Sequence, residues 1–286
     1  MDNNLLQKDK KKTALIVSGG GMSCGFSAGA LFALAKEYNF IKPDIAIGGS
    51  GGAGNLAYFL TGQYTAIKEI WTKHLLDQNF INFKRIKKIM DIDYLVDVLL
   101  KKHNPLDIDK IINSSTKFLI PVTNIFTGKI KYFSDYSKYN IFNILKATKA
   151  VPVVYNKNVF INNNFYFDSP MSGSIALNTL KAIEMGAKKI IIIDNGSHKI
   201  VSMFYNLFVY TRSKNFRKEY RNYKTQKKKI YKNIYKLDND IELLYFNPSK
   251  KMPVRFLKAN NDTLSFIFDQ GYQAIKNSVN LNSFLE

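Results

Sequence analysis

Short apolar runs alternate along the chain with stretches whose apolar residues have helical spacing. Residues 13–18, TALIVS, form a continuous apolar run of the kind that predicts a buried strand, whereas residues 25–40 place apolar side chains on one helical face. The predicted strands are residues 13–18, 44–49, a pair within 117–134, a hairpin within 157–170, 187–194 and 241–248; the predicted helices are residues 25–40, 55–71, most of 64–110, 137–150, 174–186 and 262–279.

This alternation predicts the fold class. Several predicted strands are continuous runs of Ile, Val and Leu, which is typical of parallel sheets buried on both faces. We therefore expect an α/β protein, a three-layer α/β/α fold with a mainly parallel central sheet. The 286 residues are enough for a sizeable core. We expect a basic N-terminal tail at residues 1–12 and a single domain over 13–286, with a basic helical insertion at about 199–236.

The composition of the chain argues against disulfide bonds, metal sites and membrane-spanning segments. The single cysteine, Cys24, has no partner for an internal disulfide, and we find no Cys/His cluster, so neither a metal nor a cofactor is expected. No apolar segment typical of a Sec-type signal peptide follows the N-terminus, and no run of about 18 apolar residues is present. We expect a cytoplasmic protein or one bound peripherally to a membrane.

Two glycine-rich turns, SGGGMSCGFSAG and GGSGGAG, each follow a predicted strand and precede a predicted helix. Phosphate binding is one interpretation, but neither turn has the Lys-Ser/Thr pair of a P-loop. The dinucleotide fingerprint requires glycines at its first, third and sixth places, and Cys24 or Met22 breaks it in either register. Nucleotide binding is therefore not favoured.

The second turn matches a nucleophile elbow, G-x-S-x-G, centred on Ser50. Such a turn needs small residues two places before and after the serine, and Gly48 and Gly52 satisfy that requirement. Ser50 also stands at the start of a helix, whose free N–H groups favour a developing oxyanion. The three consecutive glycines of the first turn would let further N–H groups point at the same oxyanion.

A nucleophilic serine needs a base, and the chain offers two candidates. Asp168 follows a predicted strand and precedes small residues and a helix, so it is placed to act directly in a Ser–Asp pair. His198 follows Asp168 in the chain, which allows a Ser–Asp–His order. The other two histidines, His74 and His103, lie in a charged helical region typical of a protein surface.

Taken together, the two glycine turns and Asp168 resemble the patatin-like phospholipases over about residues 13–278. That family has a glycine-rich oxyanion loop, then a G-x-S-x-G elbow, then an aspartate that serves as base. The resemblance implies a serine acyl hydrolase that cleaves carboxylic esters of lipids or phospholipids through an acyl-enzyme, without a cofactor. The implied residues are the dyad Ser50 and Asp168, the oxyanion loop Gly19, Gly20, Gly21 and Met22, and the elbow glycines Gly48 and Gly52.

Three positions depart from the family pattern. Ser23 stands where the first loop usually has Arg, and Cys24 stands where it usually has Gly, so the loop lacks its cation and a flexible position. Oxyanion stabilisation is then weaker, or falls to backbone N–H groups. Ser169 replaces the glycine after the base, and its hydroxyl is placed to bond the carboxylate and lower its basicity. Because nucleophile and base are both present, we favour an active enzyme.

The charge of the chain is concentrated in one segment. The net charge is +20, and residues 212–236 hold eleven Lys/Arg but one acid, Glu219. The apolar, aromatic residues 200–210 come directly before it, a combination typical of interfacial helices that bind anionic membranes. The candidate membrane-binding residues are Arg212, Lys214, Arg217, Lys218, Arg221, Lys227, Lys228 and Lys229.

Three other interpretations of this basic segment stay open. It fits a core helix followed by a solvated one, and it fits a catalytically silent module that binds anionic membranes. Tyrosines interleaved with the lysines also suit single-stranded nucleic acid, but no RNA-binding signature accompanies them, so a nucleic-acid partner is not favoured. These tyrosines are Tyr220, Tyr223, Tyr231 and Tyr235.

Overall fold

The structure is a computed structural model, which describes part of the chain. The described residues are 11–76, 78–85, 88–152, 154–155, 157–196, 199–233, 240–249, 257 and 260–286, with the backbone alone at 199–204, 228 and 230–233.

A mixed sheet forms the centre of the described fold. Its strands are β1 (Thr13–Val17), β2 (Ile45–Gly48), β3 (Lys117–Asn124), β4 (Ile130–Phe133), β5 (Val159–Ile161), β6 (Asn164–Phe167), β7 (Lys189–Ile193) and β8 (Glu242–Phe246). Their order is β5-β6-β3-β2-β1-β7-β8, and β4 also pairs with β3. The pairs from β3 through β2, β1 and β7 to β8 are parallel, whereas β4, β5 and β6 pair antiparallel. The predicted, mainly parallel sheet is confirmed.

Helices connect and cover these strands. The α-helices are α1 (Gly25–Tyr38), α2 (Gly51–Leu60), α3 (Tyr64–Glu69), α4 (Ile108–Ile112), α5 (Ile141–Ala147), α6 (Ile175–Glu184), α7 (Lys199–Tyr210), α8 (Lys214–Asn233), α9 (Asn261–Lys276) and α10 (Leu281–Leu285). The segment 55–71, predicted as one helix, is interrupted between α2 and α3 because Gly62 has a φ of 75°. No helix in the described part of the chain has the length and apolar character needed to cross a bilayer.

The sheet separates two apolar layers, as alternation along a strand requires. On β1, Leu15 and Val17 join the larger layer, which contains residues of α1, α2 and α9, whereas Ala14 and Ile16 join the smaller layer under α6. These β1 side chains are all buried. Burial on both faces explains why the strands are continuous apolar runs, and the three-layer α/β/α prediction is confirmed.

Two glycines allow α1 and α9 to touch backbone to backbone. A Cβ atom on Gly29 would lie 1.8 Å from the carbonyl oxygen of Phe268, and one on Gly271 would lie 1.8 Å from that of Phe26. No side chain fits at either position. This contact seats α9 beside the helix that follows the first glycine turn.

Candidate active site

Parallel pairing brings both glycine turns to one edge of the sheet. The first turn follows β1 and the second follows β2, and the two strands are neighbours with Val17 opposite Gly48. Strand β6 runs the other way and places Phe167 opposite Thr123, near the end of β3. Asp168 therefore reaches the same edge from the opposite direction.

Ser50 lies in a sharp turn between β2 and α2. It is the residue before the helix and has a φ of 52°, a left-handed conformation that is rare for a residue with a side chain. A Cβ atom on Gly48 would lie 2.8 Å from Leu56 Cδ1, and one on Gly52 would lie 2.5 Å from the carbonyl oxygen of Ser18. The turn is therefore possible only with glycines at these two positions.

The end of α5 supports this turn from the side. The Ser50 amide donates a 2.9 Å hydrogen bond to Thr148 Oγ1, and the Thr148 hydroxyl donates in turn to the carbonyl oxygen of Pro121 on β3. Thr148 is fully buried. The conformation of Ser50 is thus held by residues far away in the chain.

Asp168 accepts a hydrogen bond from the Ser50 side chain. Its carboxyl is buried, and its own backbone N–H is bonded to the carbonyl oxygen of Ala150. Burial raises the pKa of Asp168 to about 7, although the hydrogen bond from Ser50 and the charge of Lys149 act in the opposite direction. At neutral pH a large fraction of this carboxyl is ionised and able to accept a proton.

The hydroxyl of Ser169 is engaged elsewhere. It lies 2.6 Å from Thr123 Oγ1 and accepts hydrogen bonds from the backbone N–H groups of Met171 and Ser172. The bond from Ser169 that lowers the pKa of Asp168 comes from its backbone. The prediction that the Ser169 hydroxyl bonds the Asp168 carboxylate is therefore wrong: this hydroxyl stabilises the turn that follows Asp168.

The first glycine turn lies directly against the serine. A Cβ atom on Gly19 would lie 2.9 Å from Ser50 Cβ, so the backbone approaches more closely than any other residue type allows. Gly21 has a φ of 57°, and Gly21 and Met22 line the pocket that opens at Ser50. Gly51, the first residue of α2, lines it as well, and a first-turn amide has no partner within its own helix.

Ser23 and Cys24, the two departures in this loop, are buried under it. A Cβ atom on Gly51 would lie 2.7 Å from Cys24 Sγ, so the thiol fills the space beneath the start of α2. Burial raises the pKa of Cys24 to about 12, which keeps it a neutral thiol. These residues pack the loop in place and present no cation to the pocket.

Two buried asparagines that sequence reasoning missed hold the loop. Asn195 donates to the carbonyl oxygen of Ser18 and accepts from the amide of Ser27, which ties the end of β7 to the first turn. Asn55 donates to the carbonyl oxygen of Cys24 and accepts from Trp71 Nε1. Asn195 could have been identified from the sequence, because it is a polar residue that closely follows a buried strand.

A deep apolar pocket leads away from Ser50. Its walls come from α2, α3 and the segments that follow, and Lys149, next to Thr148, is the one lysine among its described lining residues. The apolar lining residues include Trp71, Leu75, Phe80, Met90, Leu95 and Leu100. Such a lining suits a long hydrocarbon chain whose reacting end lies at the serine.

Among the described residues, no histidine lines the pocket at Ser50, where a Ser–Asp–His triad would require one. His198 lies outside the described residues. His74 and His103 stack edge to face at 5.9 Å between ring centroids, and neither lines the pocket. Within the described part of the chain, the carboxylate bonded to Ser50 is that of Asp168.

The basic segment forms α8, a helix with two different faces. Phe216, Tyr220 and Tyr223 are buried against the body of the protein, so these two tyrosines offer no ring faces for stacking bases. On the other face the basic side chains are exposed, except Arg212 and Arg217, which are half-buried. The exposed ones are Lys214, Lys218, Arg221, Lys224, Lys227 and Lys229; the side chain of Lys228 lies outside the described residues.

A family model described as patatin-like phospholipase matches residues 15–179, which contain both glycine turns and Asp168. The chain belongs to this family. The resemblance to the patatin-like phospholipases that the sequence showed is confirmed.

Two further comparisons are consistent with this family. The chain is 26% identical over 188 residues to the uncharacterized protein YjjU of Escherichia coli strain K12, with 64% of this chain and 51% of that protein covered. It shares its fold with VipD from Legionella pneumophila, with a TM-score of 0.54 and 11% identity over 93% of this chain and 66% of that one. The chain thus spans about half the length of the curated relative and about two thirds of the structural one.

Proposed function

We propose that this protein is a serine acyl hydrolase that cleaves carboxylic esters of lipids, with Ser50 as nucleophile and Asp168 as base. The observation that carries the proposal is the hydrogen bond from Ser50, which stands on a strained turn and lines an apolar pocket, to the buried carboxyl of Asp168. A nucleophile bonded to a base beside an apolar pocket suits the carbonyl of an acyl chain.

The proposed mechanism has two steps. Ionised Asp168 accepts the Ser50 proton while Ser50 Oγ attacks the ester carbonyl, and the leaving alcohol then takes the proton from Asp168. In the second step Asp168 accepts a proton from water, which attacks the acyl-enzyme, and the released Ser50 oxygen recovers that proton. Backbone N–H groups from the Gly19–Met22 turn and from Gly51 stabilise the oxyanion in both steps.

The experiment that tests this proposal is labelling of the unmutated protein with a fluorophosphonate, followed by assay on phosphatidylcholine and lysophosphatidylcholine. Labelling at Ser50 with release of fatty acid supports the hydrolase. Failure to label a protein that circular dichroism shows to be folded, combined with binding to anionic vesicles, would instead support a catalytically silent membrane-binding module.

Contact with a lipid surface is a second part of the proposal, and exposed aromatic residues beside Asp168 support it. Phe126, Phe160 and Phe165 form an exposed ring cluster, with centroids 6.3 Å apart for Phe126 and Phe165 and 5.0 Å for Phe160 and Phe165. The Ser213 hydroxyl donates to the carbonyl oxygen of Phe126, which joins this cluster to the corner between α7 and α8. Exposed Tyr210 lies at that corner.

We call Phe126, Phe160, Phe165 and Tyr210 the aromatic rim. The exposed lysines of α8 begin beside it, so apolar rings and positive charge occur together, as at interfacial binding surfaces. The rim is also near the proposed base, because Phe165 lies on β6 and Asp168 is the residue after the end of that strand, roughly 10 Å away. A membrane bound here would deliver lipid near Ser50.

Replacing Phe126, Phe160 and Tyr210 together with alanine is expected to reduce binding to vesicles of phosphatidylcholine and phosphatidylserine at least tenfold. Replacing Lys214, Lys218 and Arg221 with glutamate, which reverses their charge, is expected to abolish the salt-sensitive part of that binding. Vesicle co-sedimentation measures both effects. Val279→Ser, which removes an apolar group that is 90% exposed elsewhere, is the control. Unchanged sedimentation of both variants would place the lipid-binding surface elsewhere.

A further inference from the structure

A buried ammonium group lies in the wall of the apolar pocket. Lys149 is 7% exposed, and its Nζ atom has no hydrogen-bond partner among the described residues. Asp168 is the charged group with the largest effect on the pKa of Lys149, yet no ion pair within 4.0 Å joins the two. Lys146, one turn earlier on α5, shows the contrast, since it is paired with both Asp93 and Asp97.

Leaving such a group unpaired costs several kcal/mol, because a buried cation has lost its hydration. A chain normally avoids this cost with a partner, or the group gives up its proton. Burial does lower the pKa of Lys149, to about 8, while the nearby charge of Asp168 acts in the opposite direction. Lys149 therefore still carries its charge at neutral pH and faces a pocket that is mostly apolar.

The position of Nζ relative to Ser50 is set by α2. A Cβ atom on Gly54 would lie 3.4 Å from Lys149 Nζ, so the ammonium rests against this part of the helix. Gly54 is four residues after Ser50, which is about one helical turn, roughly 5–6 Å. An anionic group held by Lys149 would thus lie within one turn of the proposed nucleophile, with the apolar walls beyond it.

We propose that Lys149 binds the carboxylate of a long-chain fatty acid whose alkyl chain occupies the apolar pocket. One anchoring cation in an apolar cavity matches a ligand with one anionic end and a hydrocarbon body. The fatty acid is the product of the proposed function, on which this identification of the ligand rests. Binding involves no covalent step: the carboxylate pairs with the ammonium and supplies the partner that it lacks.

The test is oleate binding to the full chain carrying Ser50→Ala, measured by isothermal titration calorimetry at pH 7, with oleyl alcohol as an uncharged ligand of similar length. Adding Lys149→Met is expected to weaken oleate binding at least tenfold and to leave oleyl alcohol binding unchanged, because a charge-assisted hydrogen bond contributes about 1.5–3 kcal/mol. Lys138→Met, which removes an exposed lysine, is the matched control and is expected to leave both affinities unchanged.

Equal oleate affinity with and without Lys149→Met would overturn the proposal. So would an equal loss of oleyl alcohol binding, which would show that Lys149 merely shapes the pocket. If the variant does not fold, the unmutated protein provides the test: oleate affinity should fall above pH 8, as the ammonium loses its proton, while oleyl alcohol affinity should not. Among the described residues, the titratable groups around Lys149 are Asp168, Cys24 and the pocket residue Tyr58. The thiol and the phenol stay neutral in this range, and Asp168, with a pKa of about 7, is largely ionised before pH 8 is reached. A flat oleate profile would contradict the proposal.

This experiment is independent of catalysis because the Ser50→Ala background cannot form an acyl-enzyme. If Lys149→Met loses oleate binding and the unmutated protein is not labelled by the fluorophosphonate, the carboxylate site is supported and the hydrolase is rejected. Labelling with unchanged oleate binding would retain the hydrolase and reject the carboxylate site.

Discussion

Ser50→Ala and Asp168→Asn are each expected to lower hydrolysis of a lipid ester at least 1,000-fold and to abolish fluorophosphonate labelling. The first change removes the attacking oxygen, and the second leaves an amide that cannot accept the Ser50 proton. The double variant should be little worse than either single variant, because the two groups act as one unit. In-gel labelling and release of fatty acid measure these effects.

The control for these variants is Asp135→Asn, the same isosteric change at an exposed aspartate in the loop after β4. It is expected to leave activity within about twofold of the unmutated protein, as surface substitutions usually do. An Asp168→Asn variant that still labels would contradict the proposed dyad. In that case His198→Ala is the variant to measure, since it tests the Ser–Asp–His alternative.

Activity on a soluble ester is expected to fall about tenfold for each pH unit below 7. The ionised form of Asp168 is the base, and burial raises the pKa of its carboxyl to about 7. At pH 5 about 1% of the carboxyl is ionised, so kcat/KM should be about a hundredfold below its plateau. A pH profile between 5 and 7.5 measures this. Full activity at pH 5 would exclude a buried carboxylate as the base.

Protein stability provides the control for this profile. The folded-state pKa of Asp168 is raised above the ordinary value of 3.8, so ionisation of the buried group costs stability as the pH rises through 7. Asp168→Asn removes that cost. Its free energy of unfolding should therefore exceed that of the unmutated protein at pH 8, and the difference should disappear toward pH 4. Urea unfolding at the two pH values also shows whether the variant is folded.

Local patterns were sufficient to predict the main elements around the site. Continuous apolar runs predicted strands such as β1 and β7, which are buried on both faces. The G-x-S-x-G pattern predicted a crowded turn at Ser50, because such a turn excludes side chains from Gly48 and Gly52 whatever surrounds it. A strand–turn–helix pattern of this kind depends only on residues adjacent in the chain, so it can be recognised in a single sequence.

Other features depended on contacts between distant segments. The tyrosines at positions 220 and 223 were placed among lysines by the sequence but are buried, because α8 packs on the body of the protein. The hydroxyl of Ser169 was expected at the carboxylate but bonds Thr123 on another strand. The close contact of α1 with α9 depends on Gly29 and Gly271, which are ordinary helix residues in the sequence.

The class of fold, the strand-to-helix turn that carries Ser50 and the candidacy of Asp168 as base could all be predicted from short segments, because local sterics and apolar periodicity depend on neighbouring residues. Tertiary structure alone decided the hydrogen bond between those two residues and the raised pKa of the carboxyl, since burial is the sum of many distant neighbours. It also decided the place of Lys149. In ATKAVP this residue has no distinguishing local signal, and only the tertiary structure brings its ammonium next to Gly54 of α2 and into the pocket without a partner.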